Sequence, residues 1–248
     1  MIHWLDETHL EVDGLRFRLD VSRDRPLVDS SSEIVLMKPR ADLVNAYVDA
    51  LASYRNCNVV ELGVWGGGST IFYERLMKPR KLVAIELETD VPKTLEHYIA
   101  ENDLGGTIVP CYGVDQGDAE TLREIMKREF QGEPVDVVID DASHRYLPTK
   151  TAFNEIFPLL RAGGRYFLED WGWAHWRGRF QEHWKDEPAL SNLVFELSMV
   201  VATWGGYMVS RVDVQHGFVA VERGTGQLPA RFDVSSLFLS RDRKFQHI

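Results

Sequence analysis

The feature that most constrains the fold is an alternation of short apolar runs with helical stretches through the middle of the chain. The runs are nearly continuous in apolar residues, which is typical of strands covered by helices on both faces. Strands that alternate with helices form a parallel sheet with crossover helices. The runs are NVVELG (58–63), KLVAIEL (81–87), TIVPCYG (107–113), VDVVID (135–140) and GRYFLED (164–170). The sequence therefore predicts an α/β fold.

Three further segments flank this alternation. Residues 40–54 carry apolar side chains at helical spacing and predict an amphipathic helix before the first strand. A long helix is expected over residues 176–201. The runs at 207–214 and 216–223 are separated by so short a connection that they predict an antiparallel hairpin rather than a further crossover. No internal repeat divides the chain.

Length and composition exclude several classes of protein. The 248 residues, with 44% hydrophobic and 27% charged residues, suit one globular domain. A net charge of −10 argues against non-specific nucleic-acid binding, which requires a basic surface. Apolar runs stay below the roughly 18 residues that span a bilayer, so we expect no membrane span and a cytoplasmic location. Cys57 and Cys111 lie in apolar surroundings and are expected to be free core thiols.

A glycine-rich turn, ELGVWGGGST (61–70), follows the first predicted strand. Glycine lets the backbone turn sharply and approach a ligand at the helix N-terminus. A dinucleotide fingerprint fails here, because Trp65 stands where the second glycine of G-x-G-x-x-G should be. Glu86 ends the second strand about 20 residues on, where a carboxylate can accept hydrogen bonds from a ribose diol. The turn therefore favours a nucleoside ligand other than a nicotinamide dinucleotide.

Acids and a histidine follow the fourth and fifth strands, which end at the same edge of a parallel sheet as the glycine turn. Asp141, Glu169 and Asp170 are candidate ligands for a hard cation such as Mg²⁺, since the pattern lacks the Cys and clustered His that favour Zn²⁺. Neighbouring strand residues point to opposite faces, so Glu169 and Asp170 can share an ion only if the chain leaves the strand there. His144, in the loop after Asp141, is the candidate general base.

These residues resemble the motifs of class I S-adenosylmethionine-dependent methyltransferases over about residues 40–223. The resemblance implies a Rossmann-like, doubly wound, mostly parallel seven-stranded sheet with an antiparallel C-terminal hairpin. It also implies a single methyltransferase domain over residues 1–248, with an N-terminal extension or lid (1–39), a core (40–223) and a tail (224–248). The cofactor-binding residues it implies are Glu61, Gly63, Gly67, Ser69, Glu86, Asp115, Gln116 and Asp140.

The pairing of D-x-S-H (141–144) with L-E-D (168–170) is similar to a narrower family, the Mg²⁺-dependent O-methyltransferases of macrolide sugars and their cephalosporin-hydroxylase-like relatives. That resemblance implies a metal site at Asp141, Glu169 and Asp170 and a sugar hydroxyl deprotonated by His144. Catechol-type enzymes rely on a lysine, and the nearest lysine here, Lys150, is expected to be an ordinary helix residue. The division of roles between the adjacent Asp140 and Asp141 stays open.

The acceptor is expected to contact Trp171, Trp173 and Trp176, because aromatic faces with a polar edge suit a sugar ring or an aromatic substrate. Residues 26–39 are a candidate lid, and the tail is expected to pack on its own domain or on another subunit. The family resemblance further implies a homo-oligomer, and in size and motif the chain is similar to mycobacterial enzymes that methylate methylmannose polysaccharide. The alternatives are a hydroxylase or other oxidoreductase on the same fold, and a non-catalytic cofactor-binding protein.

Overall fold

The structure is a computed structural model that describes residues 2–20, 34–37, 40–229 and 231–248. The strands, in chain order, are β1 (Ile2–Trp4), β2 (His9–Val12), β3 (Leu15–Leu19), β4 (Ile34–Met37), β5 (Asn58–Leu62), β6 (Lys81–Glu86), β7 (Ile108–Tyr112), β8 (Val135–Asp140), β9 (Leu160–Glu169), β10 (Val209–Val214) and β11 (Phe218–Arg223). The helices are α1 (Ala41–Leu51), α2 (Gly68–Met77), α3 (Lys93–Glu101), α4 (Ala119–Phe130), α5 (Tyr146–Ile156), α6 (Arg179–Trp184) and α7 (Ser191–Trp204). Short 3-10 helices occupy Phe157–Leu159, Trp173–His175 and Val234–Ser236.

Seven of the described strands form one mixed sheet in the order β10-β11-β9-β8-β5-β6-β7. Within it β8 runs parallel to β5 and β9, and β6 runs parallel to β7, whereas β11 pairs antiparallel with β9 and β10. All five residues of β5 are buried, as expected of a strand covered on both faces. The predicted Rossmann-like α/β fold with a C-terminal antiparallel hairpin is therefore confirmed.

The described chain divides into two compact units. One unit comprises Met1–Asn58 and Val64–Gly113, and the other comprises Val59–Gly63 and Val114–Ile248. The assignment of residues 1–248 to a single domain, with its three segments, stays a prediction.

The first unit contains a small sheet that the sequence analysis treated as an extension or lid. Strands β1, β2 and β3 are antiparallel, and β4 runs parallel to β3. The turn between β2 and β3 is Asp13-Gly14, with φ angles of 50° and 81°, which matches the left-handed turn that closes tight hairpins. Apart from β4, the candidate lid over residues 26–39 lies outside the described residues.

In the second unit, the strand register brings three strand ends together. Asp140 at the end of β8 pairs with Leu62 of β5 on one side and with Leu168 of β9 on the other. Because the strands are parallel, the residues that follow them leave the sheet at one edge. This edge carries Gly63, the loop after Asp140 and the end of β9.

The helix predicted over residues 176–201 is wrong as a single element. The chain instead forms α6 and α7, separated by residues 185–190. Pro188 lies in that break, and proline removes a helical hydrogen bond and disfavours the helical conformation of the residue before it. The predicted helix over 40–54 is confirmed as α1. No described helix has the length and apolar character needed to cross a membrane.

The tail packs on its own unit. The Phe232 ring contacts the rings of Phe153 and Phe157, with centroids 6.3 and 5.6 Å away. The indole of Trp204, at the end of α7, donates a hydrogen bond to the carbonyl of Leu237. Of the two placements expected for the tail, the structure therefore shows the one on its own chain. Neither cysteine forms a disulfide, as predicted, and Cys57 is buried while Cys111 is half-buried.

Candidate active site

The loop Asp141–His144 begins where β8 ends and is held against the glycine turn. The backbone N–H of Asp141 donates to the carbonyl of Leu62 at 2.9 Å. Gly63 has φ of +90°, and a Cβ there would lie 2.2 Å from the Asp141 carbonyl oxygen. Gly63 is thus required by packing, and the close approach fixes the start of the loop.

His144 is held in an unusual backbone conformation beside an acid. Its φ of 54° lies in the left-handed region that non-glycine residues rarely adopt. Its side chain is 12% exposed, and Nε2 lies 3.7 Å from Asp141 Oδ1. The ring centroid is 4.3 Å from that of Trp173, and the imidazole donates to the backbone carbonyl of Glu169. Burial lowers the pKa of His144 to about 4, partly offset by that hydrogen bond, so the ring is neutral near pH 7 and can accept a proton.

The end of β9 delivers Asp170 to the same place. Asp170 has φ of 52°, and its N–H donates to the carbonyl of Gly217 at 3.0 Å. The chain has therefore left the strand at Asp170, the condition under which Glu169 and Asp170 can share an ion. One ligand atom from each of Asp141, His144 and Asp170 lies within 4.8 Å of the others. The third member of this set is His144, whereas the sequence predicts Glu169 as the third ligand. The assignment of Glu169 as a ligand stays a prediction.

The acids at this edge repel one another. Burial and the charges of Glu169 and Asp170 raise the pKa of Asp141 well above its ordinary value. Because 43% of the Asp141 side chain is exposed, like-charge repulsion is the cause that the geometry supports best. Burial raises the pKa of Asp170 to about 6, partly offset by the Trp173 indole. Crowded carboxylate oxygens are a donor set that fits a hard divalent cation, which would relieve the repulsion.

Asp140 differs from Asp141 because it is enclosed by the protein. Its carboxylate accepts hydrogen bonds from the Tyr166 hydroxyl at 2.7 Å and from Gln116 Nε2 at 2.5 Å. Burial raises its pKa to about 7, and these hydrogen bonds partly offset the rise. The structure thus separates the adjacent acids: Asp141 takes part in the cluster with His144 and Asp170, and Asp140 takes part in a buried network. The cofactor contacts predicted for Asp140 and Gln116 stay predictions.

In the first unit, Glu86 binds the backbone of the glycine-rich turn. Its Oε2 accepts from the N–H groups of Val64 at 2.8 Å and Trp65 at 2.7 Å, and its Oε1 accepts from the N–H of Glu88 at 3.0 Å. Since a carboxylate offers about four acceptor positions, one remains for a ligand. Gly67, with φ of +82°, precedes α2, and a Cβ there would lie 2.6 Å from the Leu95 Cβ.

The three tryptophans predicted to bind an acceptor have different surroundings. The Trp171 indole donates to the carbonyl of Gln215 at 2.9 Å, and Trp173 packs against His144. Trp176 is 41% exposed, and its ring stacks on that of His216 at 6.2 Å and 17°. Among the three, Trp176 therefore offers the most surface to a ligand.

The sequence analysis missed several residues of this site. His216 lies in the hairpin turn, and Phe180 and Trp184 of α6 pack on Trp173 with centroids 5.1 and 5.8 Å away. Their sequence spacing carries no signal for these contacts. Tyr166 did carry one, because a hydroxyl inside an apolar strand needs a buried partner.

The family model of a methyltransferase domain matches residues 60–171, from the middle of β5 to Trp171. That range contains the glycine turn, the loop Asp141–His144 and the Glu169-Asp170 pair. Residues 60–171 are thus similar to a methyltransferase domain.

Relatives of this chain include proteins named O-methyltransferases. The chain is 32% identical over 134 residues to mycinamicin VI 2''-O-methyltransferase of Micromonospora griseorubida, covering 50% of this chain and 30% of that protein. It is 31% identical over 155 residues to 8-demethyl-8-alpha-L-rhamnosyl tetracenomycin-C 2'-O-methyltransferase of Streptomyces olivaceus, covering 59% of this chain and 37% of that protein. The matches thus span well under two thirds of these relatives.

The chain is also similar to a solved structure. The MycE methyltransferase of the mycinamycin biosynthetic pathway, in complex with Mg, SAH and mycinamycin VI, is similar with a TM-score of 0.56 and 26% sequence identity. The likeness covers 75% of this chain and 51% of that one. The chain is therefore similar in sequence to proteins named O-methyltransferases and in fold to a methyltransferase solved with Mg and SAH.

Proposed function

We propose that this protein is an S-adenosylmethionine-dependent, Mg²⁺-dependent O-methyltransferase that acts on a sugar hydroxyl. The observation that carries the proposal is the convergence of Asp141, His144 and Asp170 within 4.8 Å of one another at the carboxyl edge of the sheet. The similarity to proteins named for methylation of sugar hydroxyls supports it, as does the Mg in a similar structure.

The chemistry follows from the residues. An alcohol is a poor nucleophile, so methyl transfer from a sulfonium requires alignment of the two partners and removal of the hydroxyl proton. His144, neutral near pH 7, accepts that proton on an imidazole nitrogen. Its Nε2 atom lies 3.7 Å from Asp141 Oδ1. Asp141 and Asp170, with Glu169, would hold Mg²⁺, which supplies a positive charge that orients the acceptor hydroxyl and lowers its pKa. The packing of Trp173 on the imidazole holds the base in place.

Cofactor binding is proposed on the motif residues of each unit. In the first unit these are Gly67, Ser69 and Glu86, whose remaining acceptor position suits a ribose hydroxyl. In the second unit they are Glu61, Gly63 and Asp115, and the exposed Asp115 accepts a hydrogen bond from the N–H of Gly117 at 2.7 Å.

The acceptor is proposed to lie on Trp176, with Trp171 and Trp173 fixing the adjoining backbone and base. A flat indole face packs well on the apolar face of a sugar. A mannoside of methylmannose polysaccharide is one candidate acceptor, and the deoxysugars and rhamnosides of antibiotic glycosides are others. A homo-oligomeric state stays a prediction.

Thermal melting with S-adenosylmethionine, S-adenosylhomocysteine and NAD, each with and without Mg²⁺, tests the proposal, because a ligand that binds the folded state raises its stability. We expect stabilisation by the two sulfur cofactors and by Mg²⁺. Stabilisation by NAD instead would favour an oxidoreductase. A screen of sugar glycosides for methyl acceptance follows, and cofactor binding without transfer to any acceptor would favour a non-catalytic binding protein.

A further inference from the structure

Gln116 is a buried residue whose side-chain amide is bonded at both ends. Its Nε2 donates to Asp140 Oδ1 at 2.5 Å. Its Oε1 accepts from Ser143 Oγ at 2.6 Å and from the Ser143 backbone N–H at 3.3 Å. Gln116 therefore ties the last residue of β8 to the loop that carries His144.

The two ends of this link are themselves fixed. Asp140 also accepts a hydrogen bond from the hydroxyl of Tyr166 in β9, and that side chain is fully buried. Ser143 Oγ also accepts from the Arg145 N–H at 3.3 Å, so a hydrogen bond links the two residues that flank His144. Buried polar networks in which each member has a partner rigidify the segment they join.

His144 needs such support because of its backbone. A φ of 54° is unfavourable for a residue other than glycine and persists where surrounding contacts hold it. The hydrogen bonds between Gln116 and Ser143 lie one residue away from His144.

We propose that Gln116 is a positioning residue, which holds Ser143 so that the His144 imidazole stays against Trp173 and beside Asp141. The inference rests on the proposed function, because it concerns the geometry of the base. It replaces the cofactor contact that the sequence motif predicts for Gln116, since both ends of the amide are engaged with the protein. Asp140 belongs to the same support.

Kinetics separate positioning from cofactor binding. Gln116→Met keeps the side-chain length and removes its hydrogen bonds, and we expect kcat to fall about a hundredfold, as for a misplaced catalytic group. Ser143→Ala should lower kcat about tenfold, and Ser143→Thr, which keeps a hydroxyl, should restore most of it. The Kd for S-adenosylmethionine should change less than about twofold in each variant. The double variant Gln116→Met with Ser143→Ala should lose little beyond Gln116→Met alone, because both break one link.

Amide hydrogen exchange over residues 142–146 gives a readout that needs no activity. We expect faster exchange there in Gln116→Met, and wild-type exchange and kcat in Glu124→Ala, an exposed change on α4. Unchanged exchange would overturn the inference, as would a tenfold weaker Kd for S-adenosylmethionine with kcat intact. If the wild type methylates no sugar, the proposed function fails, while the exchange measurement still decides whether Gln116 holds the loop.

Discussion

Two clusters of ionisable side chains differ in their charge balance. In one, Lys150 of α5 donates to both carboxylate oxygens of Glu196 in α7 at 2.8 and 2.6 Å and to the Tyr146 hydroxyl at 2.8 Å. The Lys150 and Glu196 side chains are 11% and 2% exposed, and their charges are opposite in sign. In the other, Asp141 and Asp170 crowd together, and repulsion from neighbouring acids contributes to the raised pKa of Asp141.

The two clusters also differ in backbone conformation. Lys150 and Glu196 lie within regular helices, whereas His144 and Asp170 adopt left-handed conformations. A balanced and fully hydrogen-bonded pair needs no further partner, so its role is to join α5 to α7. Repulsion and backbone strain persist where function requires them. The first cluster therefore has a structural role, and the second is the candidate catalytic site.

Removal of the base should give the largest effect on activity. We expect His144→Ala to lower kcat by about a thousandfold, within the range attributed to general-base catalysis, and to leave cofactor affinity nearly unchanged. Single-turnover methyl transfer and calorimetric titration measure the two quantities. His97→Ala, an exposed histidine on α3, is the matched control and should behave as wild type. Full activity in His144→Ala would remove it as the base.

Breaking the balanced pair should instead affect stability. Lys150→Met leaves a buried carboxylate without its cation, and we expect the free energy of unfolding to fall by about 3–5 kcal/mol. The double variant Lys150→Met with Glu196→Leu should recover much of that loss. Urea denaturation measures both. Turnover per folded molecule should stay near wild type, and a selective loss of kcat would contradict the structural assignment of this pair.

The pH dependence of stability tests the raised pKa values of Asp140 and Asp170. Burial raises the folded-state pKa of Asp140 to about 7 and that of Asp170 to about 6, from 3.8. The native state therefore binds more protons than the unfolded state, so their stabilising contribution is complete below pH 3.8 and is lost as pH rises through 6 to 7. We expect the free energy of unfolding of metal-free protein to fall over that window, with a smaller slope in Asp170→Asn. Equal slopes would contradict the account.

Substitution of Trp176, the proposed contact of the acceptor, should give the smallest effect. Trp176→Ala removes an exposed stacking surface, and we expect the acceptor KM to rise about tenfold with kcat little changed. Trp204→Ala, an exposed tryptophan at the end of α7, should leave both values as in wild type. An unchanged KM in Trp176→Ala would show that the acceptor does not lie on that ring.

Much of the fold was predictable because local patterns specify it. The run VDVVID coincides with β8, and the hairpin was recognised from the short connection between its runs. The small N-terminal sheet was missed, although Asp13-Gly14 between apolar residues is a hairpin signal. Pro188 marked the break before α7, which the helical pattern alone did not reveal.

The site was predictable in its acids and base but not in its supporting contacts. Asp141, Asp170 and His144 follow strand ends, and parallel topology brings strand ends together. The link from Gln116 to Ser143 joins residues far apart in sequence through tertiary packing, so no periodicity encodes it. The stacking of Trp176 on His216 likewise depends on where the hairpin turn lies.

Calorimetric titration of Mg²⁺ tests most directly whether the repulsive acids form a cation site. We predict that wild-type protein binds one Mg²⁺, that Asp170→Asn binds it at least about tenfold more weakly because a ligand oxygen and its charge are lost, and that the exposed control Asp186→Asn binds it as wild type does. Absence of binding to wild type, or equal affinity in Asp170→Asn, would contradict the account.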